Sequence, residues 1–183
     1  MLRNPELKEI DPSRLDLVLY PNPVLRRTAA RVEQFDGTLE KIAARMLDLM
    51  RQHKGIGLAA PQVGLSLRMF VFNVTGEPGD DCVCVNPELT ELAGDVAGEE
   101  GCLSLPEVTV QMHRAATCRL RAWDLTGKAF ELAGAELAAR CWQHEMDHLN
   151  GKLIIDNMSE ADKIANRRAL KQLEGKPKKT AAR

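Results

Sequence analysis

No run of apolar residues in this chain is long enough to cross a bilayer. The first ten residues, Met-Leu-Arg-Asn-Pro-Glu-Leu-Lys-Glu-Ile, lack the apolar centre of a secretory signal. The five cysteines, Cys82, Cys84, Cys102, Cys118 and Cys141, are an odd number, which argues against a disulfide framework. No internal repeat is visible, and strands and helices do not alternate in a βαβ rhythm. These absences point away from a membrane protein, a disulfide-stapled secreted domain and a doubly wound sheet. They predict an intracellular, cytoplasmic protein with reduced thiols and an α+β fold. With 183 residues, 44% of them hydrophobic, the chain can bury one real core.

The formal charge of −1 conceals an asymmetry. From Lys163 onward, Lys163, Arg167, Arg168, Lys171, Lys176, Lys178, Lys179 and Arg183 face one acid, Glu174, a net +7 that leaves −8 on the remainder. A basic tail on an acidic body suits a polyanionic partner such as RNA, or is a solvated end.

Hydrophobic spacing places the elements. Thr38 to His53 is a helix: Leu39, Ile42, Ala43, Met46, Leu49 and Met50 recur at three and four, with Thr38 as cap and Gly55 as stop. Leu67–Val74, Asp80–Val85, Val108–Val110, Ala116–Trp123 and Lys128–Leu132 read as strands, and Asp124–Gly127 as a hairpin turn. Cys82 and Cys84 share one strand face, opposite Val83 and Val85, and are expected to be packing residues, as are Cys118 and Cys141. Ala135–Leu149 and Ser159–Glu174 are late helices, the second capped by Ser159 and stopped by Gly175 and Pro177.

Within the first of these late helices lies His144-Glu145-Met146-Asp147-His148. Histidines four apart project from one helical face and can bind a single metal ion, with Glu145 beside it as a general base. Two other segments stand out. Gly55-Ile-Gly-Leu-Ala-Ala-Pro-Gln62-Val-Gly64 holds three glycines, which let backbone approach a ligand, and Gln62 offers an uncharged amide donor. Glu99-Glu-Gly-Cys102-Leu-Ser-Leu-Pro-Glu107 sets a thiol between a glycine and an apolar residue, beside two acids.

Together, in this order, the three segments resemble the signature motifs of the peptide deformylase family. Tyr20-Pro-Asn-Pro-Val-Leu-Arg26 and Asn86-Pro87 support the likeness, which runs from about Leu17 to Met158. The resemblance implies antiparallel sheets around a metal-binding helix, with residues 1–158 as the catalytic domain and 159–183 as a basic helix and tail. It implies Cys102, His144 and His148 as ligands of one divalent ion, Fe2+ in preference to Zn2+, Ni2+ or Co2+. It makes Glu145 the proton carrier, with Gln62 and the Leu103 backbone N–H as donors to the developing oxyanion. Gly55, Ile56, Gly57, Gly101, Leu137 and Arg140 would hold the substrate. That substrate is the N-formyl-methionyl end of a nascent chain, and the basic tail is a candidate ribosome contact; no DNA or membrane partner is expected.

Two positions depart from the family pattern. Arg140 stands where an apolar residue is usual, and Thr109 where an arginine is common. Either Arg140 carries its charge away while its stem lines the pocket, or the preference for the first residue has changed. Glu100 and Arg114 are candidates to brace the segment bearing Cys102; a plain surface role is the alternative. A metalloprotease of the metzincin type would need a third histidine where Ile154 stands, and neither Glu160 nor Glu174 suits as a glutamate ligand. A non-catalytic ribosome-binding module is the other rival.

Overall fold

The structure is a computed structural model and describes residues 10–175. Helix α1, Gly37–Gln52, buries the six apolar residues named above and so seals one side of the core. Its cap is Asp36 rather than Thr38: the Asp36 carboxylate accepts from the backbone N–H groups of Thr38 and Leu39 at 3.0 and 3.1 Å. An acid reaches both orphan N–H groups and also suits the positive end of the helix dipole.

Five strands form one antiparallel sheet. In chain order they are β1 Gly57–Ala59, β2 Met69–Phe72, β3 Cys82–Ala93, β6 Thr117–Trp123 and β7 Ala129–Ala135, paired in that order across the sheet. β4 Val96–Cys102 and β5 Leu105–Arg114 form a separate two-stranded ribbon. Strand β3 runs well beyond the expected Val85, because its second half is exposed and carries no inward alternation. A bulge at Asn86, with φ of 50°, interrupts its pairing to β6. The Asn86 side chain bonds both backbone groups of Val32, at 2.8 and 2.9 Å, and so fastens the irregular N-terminal stretch to the sheet.

Helix α2, Glu136–Leu149, packs between the sheet and the ribbon. Ala139, Cys141, Trp142 and Leu149 sit in a core with Phe70, Phe72, Cys84 and Leu120. Cys82 and Cys84 turn together to this core while Val83 and Val85 face α1, as the strand alternation predicts. The helix starts at Glu136, one residue later than expected, because Ala135 ends β7 and caps α2 without a side-chain acceptor. Gln143 clips α2 to the turn after β5: its amide accepts from the Ala115 N–H and donates to the Ala115 carbonyl, both at 2.9 Å.

Helix α3, Glu160–Glu174, begins in a capping box of Ser159 and Asp162. It lies on β5, where Leu173 joins the core of the ribbon and Asn166 bonds the Thr109 N–H and carbonyl at 3.1 and 2.7 Å. Lys163, Arg167, Arg168 and Lys171 of this helix are exposed. Lys176, Lys178, Lys179 and Arg183 lie outside the described residues. Among the described residues no helix is long and apolar enough to cross a membrane.

Candidate metal centre

Leu137, Arg140, Cys141, His144 and Glu145 recur along one stripe of α2, and a cavity of about 410 Å3 runs along it. Its facing walls are residues 54–57, which lead into β1, and residues 99–103 at the end of β4. Both β1 and β4 are strand edges. Every residue expected to hold substrate, Gly55, Ile56, Gly57, Gly101, Leu137 and Arg140, lines this cavity, as do Gln62 and Leu103. Leu137 stands at the half-exposed rim; Gln62 and Glu145 lie buried at the inner end.

At that end the ligand atoms of Cys102, His144 and His148 all lie within 4.8 Å of one another. Cys102 Sγ is 3.2 Å from Nε2 of His148. The histidine rings stand 4.9 Å apart at 74°, the crossed arrangement expected of residues four apart on a helix. Nδ1 of His144 is held by Glu100 at 3.1 Å, which leaves Nε2 to face the thiol. One sulfur and two imidazole nitrogens, closely spaced, with His148 buried and the other two partly buried, are a donor set that suits a transition metal or zinc. Charge agrees with this fit. Burial opposes charging His144, yet hydrogen bonds to Cys102 and Glu100 outweigh it and raise its pKa well above the usual histidine value. Burial, then the charges of His144 and Arg114, hold His148 well below it, as a neutral imidazole.

Cys102 lies on a strand that is absent from those read from the sequence. It ends β4, where a register shift after Gly101 turns the chain tightly through Leu103 and Ser104 into β5. Glycine and glutamate within β4 hid this strand, since its only buried residue is the polar Glu100. Gln62 sits in a single 3-10 turn after β1, 2% exposed. Its Oε1 accepts from the Ala59 N–H at 2.8 Å, which fixes the amide orientation and aims Nε2 at Cys102 Sγ, 3.5 Å away.

Glu145 is 3% exposed, and its Oε2 has no hydrogen-bond partner among the described residues. Burial is the chief cause that lifts its pKa to about 7, with Glu100 adding to the rise. The carboxyl therefore exchanges its proton near neutrality. It fits here because residue 57 is glycine: a Cβ there would overlap Glu145 Oε1 and lie 2.9 Å from Cys141 Sγ.

Glu100 is the hub of the supporting shell. Arg114 meets it through two hydrogen bonds of 2.9 Å, Arg140 through one of 3.0 Å, and His144 through Nδ1. Burial alone would raise its pKa; the hydrogen bonds from His144 and Arg114 overcome this and hold it at about 2. The brace inferred between Glu100 and Arg114 is thus a buried pair, and it extends to Asp147 on α2, 2.6 Å from Arg114 Nη1. Sequence reading missed Asp147, which has no signal pointing to Arg114 so far away in the chain. It also missed Cys141 as a wall residue, although its place four residues before Glu145 puts it on the same stripe. Arg140 lines the cavity, and its guanidinium donates to acceptors on β4. The Thr109 backbone bonds Asn166 of α3, and Thr109 takes no part in the cavity wall.

The family model for polypeptide deformylase matches residues 14–164. A peptide deformylase from Alkalilimnicola ehrlichii is 42% identical over 160 residues, covering 87% of this chain and 90% of the relative. A chloroplastic/mitochondrial peptide deformylase of Arabidopsis thaliana is 40% identical over 165 residues, and this chain spans 60% of its length. The crystal structure of a peptide deformylase from Legionella pneumophila superposes with a TM-score of 0.83 at 40% identity, covering 89% of this chain and 99% of that one. A plant peptide deformylase structure superposes with a TM-score of 0.85 at 38% identity, covering 91% of each chain. By its motifs, its fold and these likenesses, the chain belongs to the polypeptide deformylase family.

Proposed function

We propose that this chain removes the N-formyl group from the formyl-methionine that begins new polypeptides, releasing formate and a free amino terminus. One observation carries the reading: a thiol, two imidazoles, a proton-exchanging carboxyl and an amide donor meet at the inner end of one cavity. Cys102, His144 and His148 would hold one divalent ion, with iron(II) preferred and zinc, nickel or cobalt able to stand in. Such an ion supplies activation of a water and polarisation of a carbonyl. Three protein ligands leave a position open for that water.

Glu145 takes the proton from the attacking water and passes it to the leaving amine. As charge grows on the formyl oxygen, the Gln62 amide and the Leu103 backbone N–H donate to it. The peptide lies as an added strand between the β1 and β4 edges, using backbone groups of Gly57 and Gly101. The first side chain lies over Ile56, Leu137 and the Arg140 stem, with Gly55 giving it room. Cobalt-loaded protein should bind one ion per chain and show thiolate-to-metal charge-transfer absorption that Cys102→Ser abolishes. An unchanged band in that variant would put the thiol outside the site.

Residues 1–158 supply this chemistry, and residues 159–183 are read as a basic extension that contacts the ribosome in the cytosol. Because Asn166 and Leu173 hold α3 on β5, the informative truncation ends the chain after Gly175. It should leave turnover of short peptides unchanged and weaken ribosome binding most at low salt. Equal binding by the truncated and full chains at every salt concentration would contradict the tail's role.

A further inference from the structure

Arg140 lies one helical turn outward from His144, and its side chain is 18% exposed. Nη1 donates to the Gly98 carbonyl at 3.3 Å and to Glu100 at 3.0 Å; Nη2 donates to the Val96 carbonyl at 3.4 Å. Val96 and Gly98 are two apart on β4, so their carbonyls leave the same edge of the strand. A guanidinium from α2 that reaches both occupies the edge turned away from β5. The fit depends on Gly98, where a Cβ would stand 2.7 Å from Nη2 and 3.0 Å from Cζ. Among the described residues, the other hydrogen bonds between β4 and α2, Glu100 to His144 and Cys102 to His148, lie at the inner end. The outer half of β4 is thus tied to α2 by Arg140. Arg140 and Arg114 together face Glu100 and Asp147, so this wall presents no uncompensated cation to an incoming side chain.

We propose that Arg140 is a positioning residue that staples β4 to α2 and thereby sets the width of the cavity that receives the first side chain of the substrate. The proposal rests on the reading of the cavity as the formyl-peptide site. A planar fork meets two carbonyls and a carboxylate at once; the single ammonium of a lysine cannot. With the fork lost, β4 can move off α2, and side chains bulkier than methionine gain entry. Arg140 therefore decides how sharply the enzyme distinguishes formyl-Met from formyl-Phe peptides.

Two variants test this from opposite sides. Arg140→Lys removes the fork, while Gly98→Ala keeps every cavity-lining residue and displaces only the flexible end of Arg140. In both, hydrogen exchange at the amides of residues 96–99 should quicken. The kcat/KM ratio of formyl-Phe to formyl-Met peptides should rise about tenfold, within the range by which pocket fit discriminates. Unchanged exchange would overturn the staple, and faster exchange with the wild-type ratio would overturn its control of width. If the wild-type enzyme released no formate from formyl-Met peptides, the reading of the cavity would fail instead, and the exchange measurements would still judge the staple.

Discussion

Replacing Glu145 by glutamine should lower kcat/KM for a formyl-methionyl peptide by about 10²–10⁴-fold, the range expected for loss of a general acid–base group. Metal content and thermal midpoint should stay close to those of the wild type. The substitution keeps the volume that Gly57 and Cys141 enclose, and it removes only the ability to take up and return a proton. The carboxyl is suited to both halves of that task, since burial sets its pKa at about 7. Steady-state formate release, with metal analysis on the same preparation, makes the measurement. A glutamine variant within about threefold of wild type would remove Glu145 from the proton-carrying role, because no acid–base group of ordinary efficiency is so cheaply lost.

The second large effect concerns stability. Arg114→Met should destabilise the protein by about 3–5 kcal/mol, the usual consequence of stripping one partner from a buried ion pair. Arg114 and Glu100 have side chains only 8% and 5% exposed, so water cannot take over the lost hydrogen bonds. Asp147 would lose its partner as well. For a chain of this length the melting temperature should fall by roughly 10 °C. Adding Glu100→Gln to the same protein should restore part of the loss, since Arg140 and His144 alone would be left to hold the buried Glu100 charge. A double variant as unstable as the sum of the two single variants would argue that the two residues act independently. Activity should suffer too, because Glu100 also holds Nδ1 of His144.

Local patterns carried much of this in advance. The inward face of α1, the metal-binding stripe of α2 and the opposed faces of Cys82 and Val83 follow from periods of 3.6 and 2 alone. The β4–β5 ribbon was hidden because β4 buries a glutamate where a strand usually buries an aliphatic residue. That glutamate is intelligible only with Arg114, Arg140 and His144 around it, and those residues come from two other elements, β5 and α2. Asp36 won the cap of α1 from Thr38 through a choice of one residue that hydrophobic period does not resolve. In the site, Cys102 and the two histidines were legible through motif resemblance; Asp147 and Cys141 were not, since their roles depend on the way α2 is turned against β5 and β1. Arg140 read as an anomaly in an apolar pocket. Its acceptors on β4, and the bare glycine that admits it, make it part of the wall.

The central claim is that this centre hydrolyses a formyl amide. Anaerobically purified, iron-loaded protein should be given formyl-Met-Ala-Ser and acetyl-Met-Ala-Ser side by side, with formate, acetate and free amino termini all measured. The account predicts one formate and one free amino terminus per formyl peptide consumed, with little or no acetate. Removal of the metal should stop the reaction and its return should restore it. Fully metal-loaded protein that leaves the formyl peptide intact, or that cuts it at an internal bond, would contradict the account.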